Sequence, residues 1–293
     1  MIVSASYRTD IPAFYSTWLL RRLAEGSCRV RNPYGGADYE VSLREGEVDG
    51  FVFWSRNMAP LAPHLTVVRR RAPFIVQYTL TGYPRALETS VIDAPRAIAQ
   101  IAGLAGSWGK RAVVWRYDPI VVTTLTPPAW HEANFQWLAA ALAGRTDEVV
   151  VSFASPYRKT LRNLAVAARR HGFAWSDPEP TEKRALLSRL GAIAHAQGMR
   201  LTICSQPELV GSESVGSEFG EARCIDADRL ADVAQKAVVA REKGNRPGCR
   251  CALSRDIGAY DSCPHGCVYC YAVVNRKRAV SRHREHDPAS ALL

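Results

Sequence analysis

Six short segments rich in β-branched and aromatic residues, at 2–6, 50–54, 74–80, 112–117, 148–153 and 200–204, alternate along this chain with longer stretches of helical period. In those stretches, at 17–25, 59–70, 94–104, 128–142, 158–171 and 182–196, apolar residues recur every three or four positions, and several open after Pro or a Ser/Asp start signal. Short, nearly continuous apolar runs are strands buried on both faces, and strands separated by helices must run parallel, because each return needs a crossover. Six such units fit a full or partial (β/α) TIM-like barrel better than a short doubly wound sheet. No Gly-rich dinucleotide fingerprint follows any of the strands.

The alternation stops near residue 210, which divides the chain into barrel units over 1–210, a cysteine-rich segment over 211–272 and a basic tail over 273–293. Within the middle segment, 211–217 is rich in Gly and Ser and reads as flexible, 227–241 as helical and 243–248 as a connector. The tail carries Arg276, Lys277, Arg278, Arg282 and Arg284 with little apolar content and is expected to be frayed or solvated.

Parallel α/β folds collect their chemistry at the carboxyl ends of strands. Here those ends are polar: Tyr7, Arg8, Thr9 and Asp10 follow the first strand, and Ser55, Arg56 and Asn57 the second. Gln77, Tyr78 and Thr79 end the third, Arg116, Tyr117, Asp118 and Pro119 the fourth, Ser152 and Ser155 the fifth, and Cys204, Ser205, Gln206 and Glu208 the sixth. Taken singly, each reads as ordinary loop or cap chemistry; six on one rim read as a site. Arg116 and Asp118 offer a bidentate fork for a carboxylate and an acceptor for hydroxyls, or else pair with each other to lock the turn. Arg8, Asp10, Arg56 and Asn57 are similar fixed donors and acceptors. Tyr7, Tyr78 and Tyr117 either relay a radical and stack on a base or pack half-buried. Arg69, Arg70 and Arg71 complement a helix dipole. Glu88 and His131 have no sequence neighbours that mark them as acid–base groups, and no Ser-His-Asp order, metal-binding His pair or phosphate loop occurs.

A chain of 293 residues with 47% hydrophobic content can bury a substantial core, which excludes disorder and collagen. Its longest apolar runs are far short of the roughly 20 residues of a membrane span, and Met1 leads into Ile-Val-Ser-Ala-Ser instead of a secretion signal, so a cytoplasmic protein is expected. The net charge of +10 invites a polyanion. Because 32 of the 38 basic residues are Arg, base composition alone can produce that charge.

Eight cysteines without a secretion signal point away from a disulfide framework. Cys28 stands alone, an inert or surface thiol, whereas the other seven fall in the last third of the chain. Cys263, Cys267 and Cys270 are separated by three and then two residues, close enough for three sulfurs to converge on one centre, and soft thiolates select zinc or iron–sulfur clusters. A closed zinc site wants a fourth ligand, and His265, lying between the first two cysteines, is an awkward donor to the same metal. Cys204, Cys224, Cys249 and Cys251 meet the count for an auxiliary [4Fe–4S] cluster or a tetrahedral zinc, and equally read as unligated thiols.

The run from Cys263 through Tyr269 to Ala272, Cys-Pro-His-Gly-Cys-Val-Tyr-Cys-Tyr-Ala, resembles the cluster loop of the radical S-adenosylmethionine superfamily, in its spore-photoproduct-lyase-like branch. The resemblance implies that Cys263, Cys267 and Cys270 hold three irons of a [4Fe–4S] cluster whose fourth iron binds S-adenosylmethionine. It implies reductive cleavage to a 5′-deoxyadenosyl radical that abstracts hydrogen from substrate, with Tyr269 beside the adenine. It also implies an electron donor such as flavodoxin or ferredoxin, and it tilts the substrate towards a nucleotide or nucleic acid.

Members of that superfamily carry this loop after their first barrel strand, whereas here it lies near the carboxyl end. The opening Ser4-Ala-Ser-Tyr-Arg-Thr-Asp-Ile-Pro resembles the strand that follows the loop in those enzymes. A circularly permuted barrel is therefore expected, with 251–260 as the strand leading into the loop. Over its whole length the chain most resembles an uncharacterised family with the patterns Phe-Trp-Ser-Arg-Asn and Trp-Arg-Tyr-Asp-Pro-Ile and a terminal cysteine cluster. The competing expectation is a non-catalytic iron–sulfur or zinc protein that binds nucleic acid or a protein partner.

Overall fold

The computed structural model describes residues 1–33, 35–210 and 219–293; the flexible stretch expected at 211–217 lies outside the described residues. Eight strands form one sheet: β1 (Ile2–Ala5), β4 (Gly50–Ser55), β5 (Phe74–Thr79), β6 (Val113–Ile120), β7 (Glu148–Phe153), β8 (Arg200–Ile203), β9 (Gly220–Glu221) and β10 (Ser254–Asp256). Their spatial order is β10-β1-β4-β5-β6-β7-β8-β9, and every pairing is parallel. A separate antiparallel hairpin joins β2 (Ser27–Val30) to β3 (Tyr39–Ser42).

All six strands expected from the sequence are present, and the segment before the cysteine loop supplies β10, which pairs with β1. Among the described residues the sheet does not close, because the edge strands β9 and β10 do not pair with each other. The chain between them ties the two edges instead, with Ala252 N donating to the Ile225 carbonyl at 2.8 Å. What is observed is a parallel α/β sheet flanked by helices; the expectation of a complete barrel goes further than that.

The helices are α1 (Ile11–Phe14), α2 (Ser16–Glu25), α3 (Leu65–Arg71), α4 (Ala94–Trp108), α5 (Pro128–Leu142), α6 (Arg158–His171), α7 (Pro180–Ala196), α8 (Pro207–Val210), α9 (Ala227–Ala234) and α10 (Arg276–Glu285). Two are shorter than the apolar period suggests. Pro63 starts a 3-10 turn, Ala62–His64, so α3 begins only at Leu65. Gln235 takes a left-handed φ of 54° and stops α9. The tail is not frayed: α10 is capped by Asn275, which accepts from Arg278 N, and Arg282 donates to the Tyr260 carbonyl at 2.8 Å. Its arginines serve as clamps as well as charges.

Both faces of the sheet are buried, which explains its continuous apolar runs. Val3, Phe51, Phe53, Val76, Trp115 and Val151 pack against residues of α2, α3, α4, α5 and α7. The alternate residues Ile2, Val52, Ile75, Val114 and Val150 face the other way, onto Ala222, Ile225 and Leu230 together with Cys204, Cys224 and Cys251. The late segment of the chain thus covers this second face of the sheet and carries its thiols to the strand ends.

Candidate functional site

A cavity of about 760 Å³ opens at the carboxyl ends of the strands, within the range of about 300–1,000 Å³ usual for small-molecule sites. Its wall includes Arg8, Asp10, Arg56, Arg116, Asp118 and Tyr269, together with seven cysteines: Cys204, Cys224, Cys249, Cys251, Cys263, Cys267 and Cys270. Cys28 lies apart in β2; it is a buried thiol, not a surface one, and burial pushes it up to about 12.

Asp256, at the end of β10, organises the first wall. Its carboxylate accepts from the Ser4 and Ser6 hydroxyls at 2.8 Å, from Arg8 Nε at 2.7 Å, from Tyr7 N at 3.0 Å and from Gly258 N at 2.9 Å. A buried carboxylate with so many donors is compensated, whereas a lone one would cost several kcal/mol. Gly258 is required here, because a Cβ on it would sit 2.0 Å from Ser6 Oγ.

Asp10 organises the second wall. One oxygen caps α1 at Ala13 N and accepts from Ser55 Oγ; the other accepts from Arg56 N and meets His265 Nε2 at 2.8 Å. The loop carrying Cys263, Cys267 and Cys270 is therefore fastened to the ends of β1 and β4. Its other side pairs with the chain after β5: Val268 N donates to the Leu87 carbonyl at 3.0 Å and Ser90 N to the His265 carbonyl at 2.9 Å. Arg276 of α10 closes the back of the loop by donating to the Pro264 carbonyl at 3.1 Å. Burial raises all three loop thiols, Cys267 to about 12.

Arg56, Glu88 and Tyr269 form a buried trio. Arg56 Nη1 lies 2.7 Å from Glu88 Oε1, Arg56 Nη2 donates to the Tyr269 hydroxyl at 2.5 Å, and that hydroxyl donates to Glu88. Burial opposes the charge on Arg56, but Glu88, Tyr269 and Cys267 together outweigh it, so the guanidinium stays charged. On the far wall, Arg116 Nη2 donates to Asp118 Oδ2 at 2.6 Å, which is the turn-locking pair foreseen, while Nη1 donates to Cys224 Sγ at 2.8 Å. Burial works against the Asp118 carboxylate, but Arg116 and a Ser152 hydroxyl bond hold it below its usual range.

The cysteines that are scattered in sequence come together. Cys204 Sγ and Cys224 Sγ are 3.5 Å apart. A hydrogen bond with Cys204 lowers the Cys224 thiol, but hydrogen bonding with Cys251 and burial push it up to about 12. The hydrogen bond from Cys251 pulls the Cys249 thiol down to about 6. None of these thiols is in a disulfide. Among the described residues no three His, Cys, Asp or Glu side chains stand in a ready-made single-ion geometry.

Arg8, Asp10, Arg56, Arg116, Asp118 and Tyr269 thus share one cavity, but Asn57 does not join them. Its side chain accepts from Gln100 Nε2 at 2.9 Å and from Ala59 N at 3.2 Å, which spends it on the turn leading to α3. Tyr78 and Tyr117 are buried in the core, whereas Tyr7 lines the cavity. Glu88, Asp256 and Arg246 were not singled out as site residues. Asp256 ends a strand and meets the same criterion that selected Asp10 and Asp118. Glu88 and Arg246 sit in connecting segments, where no local signal marks them.

Fold and site define an α/β protein with a parallel sheet and a thiol-lined, guanidinium-rich cavity at its strand ends. The chain belongs to the family described as Domain of unknown function (DUF1848), whose model matches residues 2–272. No curated protein and no solved structure matches the chain. Among the described residues no helix is long and apolar enough to cross a membrane.

Proposed function

We propose that this chain is a radical S-adenosylmethionine enzyme built on a circularly permuted, partial (β/α) barrel, working in the cytoplasm. One observation carries the reading: the loop with Cys263, Cys267, Tyr269 and Cys270 lines the same strand-end cavity as Arg8, Asp10, Arg56, Arg116 and Asp118. Permutation is supported by β10, which leads into that loop and pairs in parallel with β1 as consecutive barrel strands do.

The donor set fits a [4Fe–4S] cluster and S-adenosylmethionine. Three soft thiols without a fourth protein partner on their loop suit a cluster with one open iron. Thr9 Oγ1 and His265 Nδ1, in two residues of the cavity wall, are buried without a hydrogen-bond partner among the described residues, which suits a polar ligand. When bound, the cluster supplies an electron to the sulfonium of S-adenosylmethionine and so starts radical chemistry.

The chain's own residues hold and shield. The Asp10–His265 bond and the backbone pairing to Leu87 and Ser90 keep the thiol loop in register with the strand ends. Arg116 and Asp118 hold each other at 2.6 Å in the cavity wall, a fixed polar pair beside the space that an amino acid or ribose would occupy. Tyr269 is braced by Arg56 and Glu88, so its ring is held rigidly in the wall. The electron donor is a flavodoxin or ferredoxin, and the basic wall favours an anionic substrate such as a nucleotide.

The test is anaerobic: protein reconstituted with iron and sulfide, reduced with dithionite and given S-adenosylmethionine, should release 5′-deoxyadenosine. A Cys263→Ala, Cys267→Ala, Cys270→Ala variant should not. Absence of both that product and any S-adenosylmethionine-dependent change in the reduced cluster's paramagnetic resonance spectrum would overturn the proposal, and salt-sensitive nucleic-acid binding in its place would favour a binding module.

A further inference from the structure

Cys204, Cys224, Cys249 and Cys251 come from three separate stretches of chain: the end of β8, the segment after β9, and the approach to β10. Only Cys249 and Cys251 are neighbours in sequence, yet the fold sets all four in the wall of one cavity that the loop thiols also line. Free cysteines used as small apolar residues are satisfied by packing alone and need no charged neighbour. Cys204, Cys224 and Cys251 do pack among apolar residues such as Ile225 and Leu230, but two of them also meet a guanidinium.

Arg116 Nη1 donates to Cys224 Sγ at 2.8 Å, and Arg246 Nη2 to Cys204 Sγ at 3.6 Å. A backbone donor, Ile225 N, reaches Cys251 Sγ at 3.4 Å. Burying a guanidinium is costly unless an anion meets it. Asp118 pairs with Arg116 at 2.6 Å, and the half-buried Arg246 has the Cys204 sulfur and the Tyr157 hydroxyl as its partners. The connector is shaped to bring its thiol in: Gly248 takes φ of 70°, and a Cβ there would lie 2.8 Å from Pro207 Cδ, just past Cys204.

We infer that Cys204, Cys224, Cys249 and Cys251 form a second metal centre, a tetrathiolate site for a thiophilic metal, with Arg116 and Arg246 as its charge-balancing donors. Four thiolates around one zinc ion or one [4Fe–4S] cluster leave a net negative charge, which two guanidinium groups offset. The two occupants share the same ligand chemistry. Metal binding draws the four thiols, of which Cys204 and Cys224 already lie 3.5 Å apart, onto one centre and displaces their protons. The inference rests on the proposed function only for the idea that a second, separate cluster loop exists; the site stands on its own residues.

The experiment therefore starts from the Cys263→Ala, Cys267→Ala, Cys270→Ala variant, in which any remaining metal belongs elsewhere. It is loaded anaerobically with either zinc or ferrous iron and sulfide, desalted and assayed for metal, sulfide and melting temperature. Retention of about one zinc or about four irons per chain is expected, with a higher melting temperature on loading. Adding Cys224→Ser should abolish both effects, and Cys28→Ser should change neither. Mössbauer and absorption spectra of the iron-loaded sample distinguish cluster from adventitious iron.

The inference fails if the triple variant, folded by circular dichroism, retains neither metal. It also fails if Cys224→Ser leaves retention unchanged, or if anaerobically purified protein carries a Cys204–Cys224 disulfide. Failure of the proposed function reads out differently, as wild-type protein that does not cleave S-adenosylmethionine while the triple variant still holds metal.

Discussion

Asp10 and His265 are 255 positions apart in the chain, and their side chains meet at 2.8 Å. Through this contact the end of the first strand and the late cysteine loop become one structural unit, because the same carboxylate also serves Ala13 N, Ser55 Oγ and Arg56 N. Asp10→Ala strips an acceptor from four buried or half-buried donors at once and should lower stability by about 2–4 kcal/mol in urea unfolding. Asp10→Asn keeps one carbonyl oxygen and should lose less. The loop itself should become the site of fastest cleavage in limited proteolysis of Asp10→Ala. Equal losses in the two variants would show that the carboxylate is not acting as a shared acceptor.

The Arg56–Glu88 pair is a second tie of the same kind, with both side chains nearly inaccessible to solvent. Removing one partner leaves the other's charge buried and unpaired, so Glu88→Ala should cost about 3–5 kcal/mol. Arg56→Met combined with Glu88→Leu removes both charges and should recover a large part of that loss. A double-mutant cycle by chemical denaturation measures this directly; additive losses would mean the two charges are solvated after all.

At Gly266 the chain takes φ of 75°, and a Cβ would approach Arg276 Cδ to 2.4 Å. Gly266→Ala should therefore destabilise by about 1–3 kcal/mol, part from the left-handed backbone and part from the collision. The collision is relieved if Arg276 is shortened, at the expense of its bonds to the Pro264 carbonyl and Ser90 Oγ. Gly266→Ala with Arg276→Ala should thus cost less than the sum of the single changes, as read from thermal melts.

The parallel sheet was legible because strands such as β6 and β7 are buried on both faces and so read as unbroken apolar runs. So was the strand-end rim, since Arg8, Asp10, Arg56, Arg116 and Asp118 each follow directly from a strand. What was not legible depends on contacts between distant segments. Glu88 looked unpartnered because Arg56 and Tyr269 are 32 and 181 positions away. Asn57 met the same local criterion as Arg56, but the adjacent turn consumes it. The basic tail lacks apolar period, so α10 is invisible until Arg276 and Arg282 are seen to clamp the loop and its approach.

His131 offers a prediction that depends on pH. It is fully buried in α5, with Nε2 donating to the Val121 carbonyl at 3.2 Å and Nδ1 accepting from the Tyr117 hydroxyl at 2.9 Å. A carbonyl only accepts and the Tyr117 hydroxyl in turn accepts from Asn134 Nδ2, so the neutral imidazole satisfies every partner. Burial pulls its pKa down from the usual 6.5 to about 4. Between those values the unfolded chain binds a proton that the folded chain excludes. Stability from this residue is therefore complete above about pH 6.5, falls as pH drops through the window and levels off below about 4. The full loss amounts to about 3 kcal/mol. Urea unfolding of wild type and His131→Gln at pH 7, 5.5 and 4 isolates the effect: the variant should be less stable at pH 7, and the gap should shrink as the solution is acidified. A gap that stays constant with pH would mean that His131 titrates normally in the folded protein.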